Sequence, residues 1–216
     1  NSARLTSIIN EILDLQKFEA GKVSFDIEPL EVQTIIEDAI ELNQAFAGNL
    51  GVTLRYAKPS DAAGIATDEK RLQQVMSNLL SNAAKFSPAG STVKVTSVKH
   101  EDKVRISVID EGIGLAESKR EKVFDEFSQI DSSDQRAVGG TGLGMNISKR
   151  IIEALGGQID YLKNAGPGTT FYIDMPLGNG SGRELAHGIH VKDMVNGDGP
   201  IGDEEPQKPS GDRAAA

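Results

Sequence analysis

The 216-residue sequence has no cysteine. That removes disulfides, thiolate zinc sites, iron–sulfur clusters and thiol nucleophiles together. Tryptophan is also missing, and only 3 tyrosines occur, so an aromatic cage is not expected. No apolar run approaches the roughly 18 residues a membrane span requires. The opening NSARLTSIINEILDL lacks the basic start and cleavage site of a signal peptide. It also lacks an initiator methionine, which predicts a piece of a longer protein. Dense Lys/Arg blocks are absent, and 23 basic against 32 acidic residues leave a net charge of −9. Such a chain is not expected to wrap nucleic acid or to hold an anionic lipid surface. A small phosphate ligand can still be met by local backbone amides, so acidity leaves a nucleotide open. Hydrophobic residues at 38% and charged residues at 25% are ordinary globular proportions.

Residues 2–20 predict an amphipathic helix, with Leu5, Ile8, Ile9, Ile12 and Leu15 at three- and four-residue spacing and Gly21 as its stop. Either this helix packs on its own domain, or Leu5, Ile8, Ile12 and Leu15 form the a/d seam of a helical hairpin. Val23, Phe25 and Ile27 alternate as in a short strand closed by Pro29. A helix is expected over 31–47 and strands near 52–56 and 65–66. The next helix runs to Phe86 and is capped by Thr67 or Asp68. Residues 92–98 and 103–109 predict an antiparallel hairpin. A helix near 117–124, a polar stretch over 125–139, a helix over 142–155 and strands over 158–162 and 169–175 follow. From Gly178 the chain is rich in Gly, Asp, Glu and Pro, and is expected to be a disordered tail in which His187 and His190 have no metal-site context. The expected domain, 23–177, is an α+β two-layer sandwich with a mixed, mostly antiparallel sheet. Residues 1–22 would precede it and 178–216 would trail it.

Several residues stand where chemistry would need them. Asp110 ends a strand beside Gly112 and Gly114, so its carboxylate can accept from an exocyclic amine. Gly140, Gly142 and Gly144 precede a strong helix, whose free N–H groups would meet phosphates. No Gly-Lys-Ser/Thr follows them, and the antiparallel setting is wrong for a dinucleotide fingerprint. Asn78, Asn82 and Lys85 share one helix face. Asn82 offers a neutral oxygen to a divalent cation, Lys85 can neutralise phosphate charge, and Asn78 can support either.

Read in order, these segments resemble the catalytic, ATP-binding domain of two-component sensor histidine kinases, a Bergerat-type fold of the GHKL superfamily. The N-box is NLLSNAAKFS (78–87) and the first glycine box DEGIGL (110–115). The phenylalanine box is VFDEFSQID (123–131), and the second glycine box GGTGLGMNISKRIIEALGG (139–157). The closing strand motif is GPGTTFYIDMPL (166–177). RLTSIINEILDLQKFEAGKV (4–23) resembles the second helix of the family's dimerisation and phosphoacceptor hairpin, which favours the hairpin alternative for residues 2–20.

The resemblance implies ATP and Mg²⁺ as ligands, with Asn82 on the cation. It assigns Asn78 and Lys85 to the phosphates and Phe86 to the nucleoside. Asp110 would receive the adenine amino group, with Gly112 and Gly114 below the base and Thr170 completing the pocket through water. Gly140, Thr141, Gly142, Leu143 and Gly144 would meet the triphosphate and hinge a lid anchored by Phe124 and Phe127. Gln129 stands where many members carry an arginine. The implied partners are a response regulator receiver domain and a second copy joined through the hairpin, in a cytoplasmic portion of a protein whose anchor, if any, lies elsewhere. The phosphoacceptor histidine is expected outside this sequence, since none of His100, His187 or His190 has a helical His-Glu/Asp context. A serine kinase of the anti-sigma type and a nucleotide-driven regulatory module are the alternatives the motifs leave open.

Overall fold

The computed structural model describes residues 2–125 and 141–178. Helix α1 (Ser2–Glu19) is followed by β1 (Glu28–Glu31), α2 (Val32–Asn49), β2 (Thr53–Ala57), β3 (Gly64–Thr67) and α3 (Glu69–Phe86). Then come β4 (Thr92–His100), β5 (Lys103–Ile109) and a 3-10 turn, Glu117–Lys119, running into α4 (Arg120–Val123). The chain resumes with α5 (Gly144–Ala154), β6 (Gln158–Lys163) and β7 (Thr169–Pro176). Five strands make one sheet in the order β2-β4-β5-β7-β6, and β1 pairs with β3 in a separate ribbon. Among the described residues only β2 and β4 run parallel. They need not be joined by a turn, because β3 and α3 intervene between them as a crossover.

Alternation along the strands sends Val93, Val95, Val104, Ile106, Val108, Ile173 and Met175 into the core, while Lys94 and Arg105 face out. The β4–β5 hairpin closes on Glu101 and Asp102, with Glu101 at φ 54. Helices α2, α3 and α5 cover the inner face through Ile35, Ile36 and Ala39, through Leu72, Val75, Met76 and Leu79, and through Ile147, Ile151 and Ile152. Both layers of the expected sandwich are present. Asp68 caps α3: its Oδ1 accepts from the Arg71 amide at 3.0 Å, and its Oδ2 from the Asp26 amide at 3.0 Å. Thr67, the other cap candidate, is instead the last residue of β3.

Two expectations need correction. Residues 22–27 form no strand; the strand lies further on, at Glu28–Glu31, and contains Pro29. Val23 is buried, and Phe25 and Ile27 pack against the core, so their alternation reports sidedness without a ladder. The a/d seam of α1 is also divided. Leu15 is buried in the domain core with Phe18, whereas Leu5 and Ile12 stand exposed with Ile9 and Leu13. Of the tail, Gly178 donates its N–H to the Gly64 carbonyl at 2.9 Å; the rest lies outside the described residues. Among the described residues no helix is long and apolar enough to cross a membrane.

Candidate functional site

Asp110 follows the last residue of β5 and is 6% exposed. Its Oδ1 accepts two backbone amides, Gly112 at 2.8 Å and Thr169 at 3.0 Å. Burial pushes its carboxyl above the ordinary carboxylate range; the two amides pull the other way, and burial prevails. With both donors on Oδ1, Oδ2 is left to accept from a ligand. The surrounding backbone is packed too closely for side chains. A Cβ on Gly112 would lie 2.5 Å from the Phe86 carbonyl oxygen, and one on Gly168 only 1.9 Å from the Asp110 carbonyl oxygen. Gly168 also needs its φ of +96°. Asn164 fastens this corner: its amide donates to the Asp110 carbonyl at 3.0 Å, and its Oδ1 accepts from the Thr170 hydroxyl at 2.6 Å.

The neighbouring half is made of side chains on α3 facing the start of α5. Asn78 donates to Ser148 Oγ at 2.9 Å, and its Oδ1 accepts from Asn82 Nδ2 at 3.3 Å. This orientation spends the nitrogen of Asn82 on Asn78, so its oxygen is the atom that could meet a cation. Gly144 opens α5 directly against Asn78: a Cβ there would meet Asn78 Oδ1 at 2.6 Å. Leu143 is buried beneath the same turn, its N–H donating to Thr141 Oγ1 at 3.2 Å, and Gly142 holds φ +76°. Among the described residues no group of three His, Cys, Asp or Glu is placed to hold a metal ion. A cation here would rely on Asn82, a ligand's oxygens and water, a donor set that suits Mg²⁺.

Helix α1 reaches this site. Glu11 accepts a hydrogen bond from the Thr141 hydroxyl. One turn on, Asp14 accepts from Arg71 at 3.1 Å and from Gln74 at 3.0 Å on α3. Below α5, Phe124 is buried, and its carbonyl accepts from Asn146 Nδ2 at 2.8 Å.

The structure thus brings Asp110, Gly112, Gly114 and Thr170 into one corner, with Gly114 (φ +76°) against Gly168, and Asn78, Asn82 and Gly144 into another. Phe86 joins the two: its backbone borders Gly112, and its ring is 41% exposed. Lys85 leans toward α2, its ammonium 5.8 Å from the centre of the Phe46 ring. Gly140, Phe127 and Gln129 lie outside the described residues. Sequence reasoning missed Asn164, Thr169 and Ser148. Asn164 begins a turn-forming Asn-Ala-Gly-Pro-Gly run, which hides any longer-range role.

A five-stranded mixed sheet backed by three helices, with a glycine-cradled carboxylate at a strand end, is the Bergerat-type ATPase arrangement. Residues 67–179 match the family described as "Histidine kinase-, DNA gyrase B-, and HSP90-like ATPase". The chain belongs to this family, as an ATPase-type domain of the sensor histidine kinases. It is 40% identical over 179 residues to the sensor protein GacS of Pseudomonas syringae pv. syringae, covering 80% of this chain and 20% of that protein. The circadian input-output histidine kinase CikA of Synechococcus elongatus is 35% identical over 174 residues, covering 80% and 23%. This chain therefore spans about a fifth of the length of such relatives. Among solved structures, full-length ShkA in complex with AMPPNP superposes with a TM-score of 0.72 at 30% identity, covering 81% of this chain and 36% of that one. The catalytic domain of histidine kinase ThkA gives 0.62 at 26%, covering 70% and 96%.

Proposed function

We propose that the domain binds ATP with Mg²⁺ and, within a longer protein, delivers the γ-phosphoryl group to a histidine of a helical hairpin. Residues 1–22 are read as the end of that hairpin and 23–177 as the catalytic unit. The phosphohistidine would then pass its phosphoryl group to the aspartate of a response regulator receiver domain. The hairpin would also join two copies of the protein, with this portion in the cytoplasm. The observation that carries the reading is Asp110, a buried carboxylate with one oxygen satisfied by two amides and the other left for a donor. That geometry suits the 6-amino group of adenine and opposes the carbonyl guanine presents there.

Phosphoryl transfer asks little covalent chemistry of a protein and much positioning. Asp110 and Thr170 would fix the base, Phe86 would cover the nucleoside, and the amides around Gly142–Gly144 would face the phosphates. Mg²⁺, when bound, supplies charge that neutralises phosphate oxygens. Asn82 would hold it, Asn78 would orient Asn82, and Lys85 would add a second positive charge. His100 is the exposed last residue of β4, and His187 and His190 lie outside the described residues; on this reading the acceptor would be none of these three.

Titration calorimetry with and without Mg²⁺, beside transfer from labelled ATP to a supplied histidine-bearing hairpin, tests the reading. Wild type should bind in the micromolar-to-millimolar range, and Asn82→Ala should lose Mg²⁺-dependent affinity and transfer. Equal binding and transfer by both proteins would refute it.

A further inference from the structure

Asn78 of α3 stands against α5, and its side-chain amide has two possible settings. Nitrogen and oxygen are nearly alike in shape and differ in what they can bond. Toward α5 the amide meets Met145 and Ser148, whose spacing places both on one helix face. Its Nδ2 donates to Ser148 Oγ at 2.9 Å and, more weakly, to Met145 Sδ at 3.6 Å. The hydroxyl alone would not decide the setting, because it both donates and accepts. A thioether carries no proton and can only accept, so the end of the amide facing α5 is the nitrogen. The oxygen is thereby turned back to α3, where it accepts from Asn82 Nδ2 at 3.3 Å. Ser148 itself is 2% exposed, too deep to present its hydroxyl to a ligand.

On the footing of the proposed nucleotide site, we infer that Ser148 is a positioning residue for the cation, acting through Asn78 on Asn82. Were Asn78 turned over, its nitrogen would face Asn82. Asn82 would answer with its oxygen, and the cation would be offered an N–H group. Each amide passes on the choice made by the one before it, so the setting taken at Ser148 reaches the atom that meets the cation. Without the Ser148 oxygen, an N–H of Asn78 loses its acceptor, and the turned-over setting is no longer opposed. A cation would then bind only the fraction of molecules in which the oxygen of Asn82 points outward, and its apparent affinity would fall by that fraction. Ser148 touches neither ligand nor cation in this role.

The test is the gain in ATP affinity that Mg²⁺ brings, measured by calorimetry on the full chain for wild type, Ser148→Ala, Asn78→Ala and the Ser148→Ala/Asn78→Ala pair. Adenosine affinity is the control, and the side-chain amide NMR signals of Asn78 and Asn82 are followed in the ligand-free protein. Ser148→Ala should reduce the Mg²⁺ gain by about two- to five-fold, the worth of one neutral hydrogen bond. Adenosine affinity should be unchanged, and the alanine change at 148 should cost nothing further in the Asn78→Ala background. The amide signals of Asn82 should move in Ser148→Ala, although the two side chains share no bond. An equal loss for adenosine, or a full additional loss without Asn78, would show that Ser148 braces the pocket, and would overturn the inference. An undiminished Mg²⁺ gain in Ser148→Ala, or a loss that leaves the Asn82 amide signals in place, would overturn it equally. If wild type shows no Mg²⁺ gain, or Asn78→Ala leaves that gain intact, it is the reading of the cation site that fails, and the inference falls with it.

Discussion

The two ends of the site are built from different materials. Around Asp110 the walls are backbone: the amides of Gly112 and Thr169, the carbonyls of Phe86 and Asp110, and glycines with no room for a methyl group. Around Asn82 they are side chains: Asn78, bonded to both Ser148 and Asn82, and Lys85, beside the Phe46 ring. A backbone wall cannot shift without moving a strand, so it suits a ligand part of fixed shape. A side-chain wall can rearrange, which suits a flexible, charged ligand part and a cation that brings its own water. Selectivity is expected from the first end and adaptability from the second.

Glycine substitutions expose this contrast most strongly. Gly168→Ala would drive a methyl group to 1.9 Å from the Asp110 carbonyl at a φ of +96°, so both contact and conformation are strained. It should cost roughly 3 kcal/mol or more of stability in denaturant titration. Gly144→Ala meets only the Asn78 amide, which can turn aside, and alanine favours a helix by about 1 kcal/mol over glycine. Its stability should change by less than about 1 kcal/mol, with the loss seen in ATP affinity. Equal destabilisation by the two changes would erase the distinction between the ends.

Next in size, Asp110→Asn should weaken ATP by about ten- to hundred-fold, the loss of one hydrogen bond to an ionised group. ATP should also outcompete GTP on wild type, and equal competition would deny Asp110 its selecting role. Stability should move the other way. Because burial raises the Asp110 carboxyl from 3.8, its contribution is favourable below that value and is lost as pH rises through the raised native value. At neutral pH the variant should therefore melt no lower than wild type, and wild type should gain on it as pH falls. ATP affinity should decline on acidification through the same raised value. A variant that melts well below wild type at pH 7 would show that the ionised carboxylate stabilises the fold.

The smallest effect is expected at α1. Asp14→Ala removes partners of Arg71 and Gln74 at a partly buried pair, worth about 0.5–1 kcal/mol. ATP affinity should hold, and α1 amides should exchange faster.

Much of this was legible in the sequence, for identifiable reasons. Helix α3 combines an Asp68 cap with an unbroken stripe from Leu72 to Ala83, and both signals are local. The β4–β5 hairpin is likewise written in two alternating runs around a short polar turn. Residues 23–27 misled because alternation reveals which side faces the core, whereas a strand also needs a neighbour to bond with. That neighbour, β3, pairs with Glu28–Glu31 instead. Asn164 was hidden because its partner Asp110 lies far along the chain and because it is also a common turn residue. The glycines at 112 and 168 could be picked out as turns, but their contact distances depend on strands that only the fold brings together.

The hydrogen bond from Thr141 to Glu11 gives α1 and the start of α5 a common stake in one hydroxyl. To whatever extent a ligand at that turn competes with Glu11, it loosens the hold on α1, and a displaced α1 favours the ligand by the same factor. The coupling has one value, whether it is measured by pulling on the helix or by titrating the pocket.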